Sequence, residues 1–160
     1  MCAKNGDNMR LSIDEYDHKI LNALQRNGAL TNAELSNEVN LSASQCSRRR
    51  LRLETRGIIA GYHAKLNTEA LGLSLRAIVR VNLRSHSEEN AEHFANLLER
   101  NEEIVEAFSV SGDADYVLIV QCKNLSNFAD FIHSSLLPQQ IISQVRSEIV
   151  LKDIKQRDGN

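Results

Sequence analysis

The segment TNAELSNEVNLSASQCSRRRLRLETR, from Thr31 to Arg56, leaves the chain little choice of local structure. Thr31 and Glu34 have the T-x-x-E spacing of a capping box, in which each side chain satisfies the other residue's backbone N–H. It starts a short helix with Leu35 and Val39 on one face. Ser42 and Gln45 repeat the device as S-x-x-Q shortly afterwards. The first helix therefore has to stop near Asn40, and a sharp turn there needs a residue that tolerates positive φ. After glycine, asparagine is the usual choice. Leu41 then turns inward. Two helices with so short a link cannot lie antiparallel and must cross steeply, which is helix-turn-helix geometry.

The second of these helices has unlike sides. Cys46 and Leu53, seven positions apart, fall on the face that packs against the preceding helices. Opposite them, at helical spacing, lie Ser44, Ser47, Arg48, Leu51 and Thr55, flanked by Gln45 and Arg52. Between Ser42 and Arg56 there are five arginines and one acid, Glu54. Arginine on an exposed helix suits phosphates and guanine edges through its planar fork, and small polar residues suit the helix start that enters a major groove. The residues expected to meet double-stranded DNA are Ser42, Ser44, Gln45, Ser47, Arg48, Arg49 and Arg52. An ordinary solvated basic helix is the plain alternative; the paired capping boxes and the turn asparagine favour DNA.

The overall net charge of -2 points away from nucleic acid, but its distribution does not. Residues 1–65 carry ten Lys or Arg against seven Asp or Glu, and residues 66–160 carry nine against fourteen. A basic front half and an acidic back half imply that only the front half meets nucleic acid. Cys2, Cys46 and Cys122 are odd in number and far apart, which suits unpaired thiols in a reducing compartment. No long apolar run or charged-then-apolar leader is present, so the expectation is a cytoplasmic protein without a membrane partner.

Residues 1–10 are polar and aperiodic and are expected to form a flexible tail. A first helix begins near Ser12 or Asp14, with Ser12/Glu15 and Asp14/Asp17 as rival caps. Its stripe is Ile20, Leu21 and Leu24, and Gly28 is expected to close it. The helical domain spans 11–57, ending at Gly57. Residues 58–73, with Ile58, Ile59 and Tyr62, read as a strand-like connector bent at Gly61. From Ser74 a βαββαβ order begins. Leu75–Leu83 alternates with period two. Ser87 caps a helix with the stripe Ala91, Phe94, Ala95 and Leu98. Ile104–Val110 and Tyr116–Cys122 are strands joined by the turn Ser111–Asp115. Ser126 opens a helix carrying Phe128, Phe131, Ile132 and Leu136, and Pro138 breaks it. Ile141–Leu151 is the last strand. The fold class is α+β: a winged-helix-like helix-turn-helix domain, then a ferredoxin-like domain over 74–160 with both helices on one sheet face.

That arrangement leaves the other sheet face uncovered. Val117, Leu118, Ile119 and Val120 are apolar on both sides of their strand, and Ile78, Phe108 and Val110 add to the surface. An exposed apolar sheet face implies a partner, and the simplest is a second copy of the chain.

These segments resemble the Lrp/AsnC (feast/famine) family of transcriptional regulators. The pairing LS-x-x-x-C-x(6)-LE-x-x-G-I with SGD-x-DY is specific, and LGLSLRAIVRVNL and VLKDIKQ extend the match over roughly residues 11–156. The resemblance implies an N-terminal DNA-binding domain and a C-terminal domain that binds amino acids and oligomerises. It also implies dimers that assemble further, often to octamers, with effector held between dimers near the SGD-x-D turn and partly by the last strand. Two departures stand out. Arg50 replaces a usual aliphatic core residue: either its stem packs while its charge reaches solvent, or the helix sits slightly rotated. Val145 and Ser147 replace threonines of some leucine-responsive members, so effector identity does not carry over.

The effector-binding candidates are Gly112, Asp113, Asp115 and Ser147. Glycine and aspartate are also ordinary turn formers. In the functional reading, turn N–H groups hold a carboxylate and Asp113 or Asp115 faces an ammonium. His18, His63, His86, His93 and His133 lack ligand spacing, so no metal is expected. Cys46 reads as a small core residue, and the glutamates of 88–103 as a solvated face. No nucleophile elbow, P-loop or dinucleotide fingerprint occurs, so neither catalytic residues nor a cofactor are expected. The expected function is a ligand-responsive DNA-binding regulator. An architectural DNA-binding protein without effector, or a ferredoxin-like metabolite or enzymatic domain with a basic appendage, are the alternatives.

Overall fold

The computed structural model describes residues 13–155, in two compact units divided between Lys65 and Leu66. The expected tail at 1–10 and the Ser12 cap lie outside the described residues. Three helices build the first unit: α1 (Glu15–Arg26), α2 (Asn32–Val39) and α3 (Ala43–Thr55). All three open on capping boxes. In α1 the Asp14 carboxylate accepts the Asp17 N–H at 2.9 Å and Asp17 accepts the Asp14 N–H at 3.2 Å, so Asp14 is the cap. Thr31 with Glu34 and Ser42 with Gln45 close the expected boxes on α2 and α3. Asn40 ends α2 at φ 56°, ψ 47°, the left-handed conformation that its place in the turn demands. The core is Ile20, Ala23, Leu24, Leu30, Leu35, Val39, Cys46 and Leu53, with Leu21 and Leu41 packed against it.

Two local expectations need correction here. Asn27, in an extended conformation, is the C-cap of α1, and its side-chain oxygen takes the Ala29 N–H at 3.0 Å. Gly28 serves a neighbour instead: a β-carbon there would meet the Tyr62 ring at 3.3 Å. Nor does a strand form in residues 58–73. Ile58 and Ile59 donate their N–H groups to the Leu53 carbonyl at 2.9 and 3.2 Å and pack on the three-helix core. Their β-branched side chains seal a helical core rather than join a ladder.

The second unit runs β1 (Leu75–Leu83), α4 (Glu88–Glu99), β2 (Ile104–Ser109), β3 (Tyr116–Cys122), α5 (Leu125–Phe131) and β4 (Ile142–Ile149). The sheet order is β2-β3-β1-β4, and every pairing is antiparallel. Ala77, Val79, Val81 and Leu83 of β1 alternate into the core, where they join Leu118, Val120 and Cys122 and meet Phe94, Phe128, Phe131 and Leu136 from the helical layer. Burying a phenylalanine as fully as Phe94 contributes about 2–3 kcal/mol. Its ring also tilts against Tyr116 at 4.6 Å between centroids.

The packed stripe of α4 is Phe94, Leu97 and Leu98; Ala91 and Ala95, expected inside, face outward. Asn124, not Ser126, caps α5 through the Asn127 N–H at 3.0 Å. A π-helical segment, Ile132–Leu136, follows α5, and the helical run ends before Pro138. Ile78, Arg80 and Asn82 lie on the face away from the helices, paired with Ile119, Val117 and the β4 residues Glu148, Arg146 and Gln144. Phe108, paired with Val117, extends this open face and is 47% exposed.

Candidate functional site

Helix α3 buries Cys46 and Leu53 and turns Ser44, Ser47, Arg48, Leu51 and Thr55 outward as one stripe. Burial pushes the Cys46 thiol above its usual range, as suits a core residue. Ser42 and Gln45 are exposed, but their polar groups are engaged with each other in the cap.

The arginines do not form a uniform bed of charge. Arg48 is exposed and has no ion pair among the described residues. Arg49 donates Nη1 to Asp14 at 2.6 Å and to Asp17 at 2.9 Å, and Arg52 donates Nη2 to the other Asp17 oxygen. Asp17 is wholly buried. One carboxylate thus completes the cap of α1 and ties down two arginines of α3. The hydrogen bonds it donates, to Asp14 first and Asp17 second, hold the Arg49 guanidinium pKa above its ordinary value. Arg48, Arg49 and Arg52 together line a surface recess of about 130 Å³.

Arg50 resolves the departure noted in the sequence. Cys46 and Leu53 remain inside, so the helix is not rotated. The Arg50 guanidinium lies 4.5 Å over the Tyr62 ring, donates Nη1 to the Leu30 carbonyl at 2.8 Å, and shares Nε between Tyr62 Oη at 2.7 Å and Glu54 at 3.2 Å. Tyr62 in turn donates to Glu54 at 2.7 Å.

In the second unit, Gly112 sits at φ +145°, a conformation that favours glycine, and open space surrounds the position of a β-carbon. Asp115 is largely committed to the turn. Its N–H is shared between the Val81 carbonyl and Asn82 Oδ1, and its Oδ2 accepts the Leu83 N–H at 2.8 Å. The second oxygen lies 3.8 Å from His86 Nε2. The Asp113 carboxylate is exposed, 3.7 Å from Arg146 Nη1, while its carbonyl accepts from Asn82 Nδ2. Arg80, Asn82, Asp113, Ala114, Gln144 and Arg146 line a recess of about 10 Å³ beside the turn, room for about one water.

Ser147 is not brought into this recess. It pairs with Val79, whose side chain is buried on the helix side, so alternation turns Ser147 to that face and Arg146 to the open one. Sequence reasoning passed over Arg80, Asn82, Gln144 and Arg146. The alternation of β1 already set Arg80 and Asn82 opposite Val79 and Val81; Gln144 and Arg146 needed the register of β4. Among the described residues, no group of three or more His, Cys, Asp or Glu gathers that could hold a metal, and no helix is long and apolar enough to cross a membrane.

Residues 13–60 match the winged helix-turn-helix DNA-binding family. With the outward polar stripe of α3 ahead of an open-faced α+β unit, this defines a DNA-binding transcription regulator. Residues 76–159 match the Lrp/AsnC ligand binding domain. The chain is 37% identical over 147 residues to the leucine-responsive regulatory protein of Rhizobium meliloti, covering 92% of this chain and 94% of that protein. The Escherichia coli leucine-responsive regulatory protein is 36% identical over 144 residues, covering 90% and 88%. A transcriptional regulator from Neisseria meningitidis, crystallised as a complex with L-Met, superposes with a TM-score of 0.88 at 37% identity, covering 93% of this chain and 96% of that one. The chain belongs to the Lrp/AsnC family of transcriptional regulators.

Proposed function

We propose that this regulator reads DNA through the outward stripe of α3 and that an amino acid acting at the Ser111–Asp115 turn modulates its assembly or DNA affinity. The observation that carries the DNA reading is the division among the arginines. Arg48 stands unpaired beside Ser44 and Ser47 near the helix start, while Arg49 and Arg52 are tethered to α1 through Asp17. Ser42 and Gln45 contribute by fixing the helix start. Binding to DNA from the chain's own upstream region, measured by gel shift over a range of salt, tests this. Arg48→Ala is expected to weaken binding by about 1–3 kcal/mol on the preferred sequence if it reads a base. A contact to phosphate alone lowers all sequences equally and flattens the salt slope by about one unit. Unchanged binding sinks the assignment.

The effector reading rests on the turn. The exposed Asp113 carboxylate suits an ammonium, and the guanidinium groups of Arg80 and Arg146 beside it suit a carboxylate. The recess in one chain is too small for an amino acid, so a neighbouring copy supplies the missing wall, and Ser147, on the opposite sheet face, has no part in it. Assembly through the apolar part of the open face, Ile78, Val117, Ile119 and Phe108, at least to a dimer and onward to an octamer, makes such a neighbour available. Binding between copies then couples to assembly, because a ligand that prefers one state shifts the balance. The Neisseria meningitidis relative holds L-Met, which favours an amino acid here, with aliphatic and amide side chains the first to test. Calorimetry with all twenty amino acids on assembled protein is expected to give at least one ligand binding below the millimolar range. Gly112→Val, strained at its φ, and Asp113→Ala are expected to abolish the response and leave basal DNA binding intact. Twenty blank titrations overturn the reading.

A further inference from the structure

Three large apolar side chains of the helical unit reach solvent among the described residues: Tyr16, Leu51 and Tyr62, at 40%, 63% and 41% exposure. Both tyrosines are covered by cations. Lys19 and Arg49 lie 5.3 and 5.6 Å from the Tyr16 ring centre, and Arg50 lies 4.5 Å from that of Tyr62. Leu51 has no such cover. We propose that Leu51 is a specificity-determining residue that packs on the C5-methyl group of a thymine in the major groove. This rests on the reading of α3 as the DNA-contacting helix.

Leu51 lies in the middle of the outward stripe, one turn after Ser47 and Arg48 and one turn before Thr55. Of the arginines around it, Arg49 and Arg52 are held on Asp17 and Arg50 on Leu30, Glu54 and Tyr62; only Arg48 has no ion pair among the described residues. The stems of the three held arginines are therefore not free to fold over the leucine. The Thr55 hydroxyl is also engaged, donating to the Leu51 carbonyl at 2.7 Å. What remains is an apolar branch presented beside an unpaired cation. In the major groove a cation finds phosphates and guanine edges, and the apolar feature on the base edges is the thymine methyl. Desolvating that methyl against Leu51 favours a thymine over a base that lacks it.

The test uses the full chain and a duplex it enriches from a random-sequence pool, with each thymine replaced in turn by deoxyuridine, which lacks only the methyl group. The wild type is expected to lose roughly fourfold in affinity at a contacted thymine, the worth of one buried methyl group. Leu51→Ala is expected to bind the thymine and deoxyuridine duplexes alike. Arg48→Ala serves as the control and is expected to weaken both duplexes while keeping the thymine preference. An equal deoxyuridine penalty in Leu51→Ala and wild type, or no penalty at any position in wild type, overturns the proposal. Leu51→Ala binding both duplexes like wild type, with Arg48→Ala weakened, also overturns it and makes Leu51 a contact for another protein. Undiminished binding by Arg48→Ala identifies the failure as that of the DNA-helix reading itself.

Discussion

Asp17→Ala is expected to lower the unfolding free energy of the helical unit by about 3–5 kcal/mol, the cost of removing one partner from a buried charge network. The carboxylate is fully buried and has no spare oxygen: Oδ1 takes Arg49, and Oδ2 takes Arg52 and the Asp14 N–H. Alanine removes three interactions at once. It leaves Arg52 without its acidic partner and Arg49 with Asp14 alone. One of the three is the reciprocal half of the α1 capping box; the Asp14 carboxylate still accepts the residue-17 N–H, so the cap itself stays. Asp17→Asn keeps the shape and one acceptor oxygen, so it loses less. Denaturant unfolding followed by helical circular dichroism measures the difference. A midpoint and slope matching wild type in Asp17→Ala would show that the arginines find other partners without cost.

Phe108→Glu is expected to weaken the assembly proposed to form through the open sheet face by more than about a hundredfold in Kd. Burying one phenylalanine contributes about 1.5–3 kcal/mol, and a two-fold interface contains the residue twice. A carboxylate set against Val117, Ile119 and Ile78 adds a desolvation cost of its own. The monomer fold should survive, because Phe108 is 47% exposed on an edge strand and absent from the core between sheet and helices. Light scattering across a concentration series reads the outcome. An oligomer distribution identical to wild type would move the interface to another surface.

What the sequence disclosed, and what it hid, follows from the range of the interactions. The capping boxes of α2 and α3 were legible because each links residues three apart, and the Asn40 turn because a left-handed residue is a local demand; at α1 two such pairs competed, and only the structure chose Asp14. Strand β1 was legible because one buried face imposes period two, and β3 as a short apolar run that follows a turn. The paired arginines were not. Asp17 lies more than thirty residues before Arg49 and Arg52, and nothing local marks it as their partner. Ile58 and Ile59 carry a strand-like signal whose use is tertiary, and Gly28 is small for the sake of a tyrosine far along the chain. At the effector turn, the glycine and aspartates were visible as a motif. Which carboxylate stays open depends on the Leu83 N–H that claims Asp115, and which face Ser147 takes depends on the register of β4.

The Arg50–Tyr62 contact gives the helical unit a mechanical port. The chain leaving α3 is fastened to that helix by two N–H groups on the Leu53 carbonyl, and again at Tyr62 by a hydroxyl and a ring under the Arg50 guanidinium. Arg50 also grips the Leu30 carbonyl, in the segment just before α2. A pull or twist along residues 58–62 therefore arrives first at α3 and at the base of the helix-turn-helix. Strain entering by that route reaches α3, the helix proposed to face DNA, through these polar contacts as well as through Ile58 and Ile59 on the core.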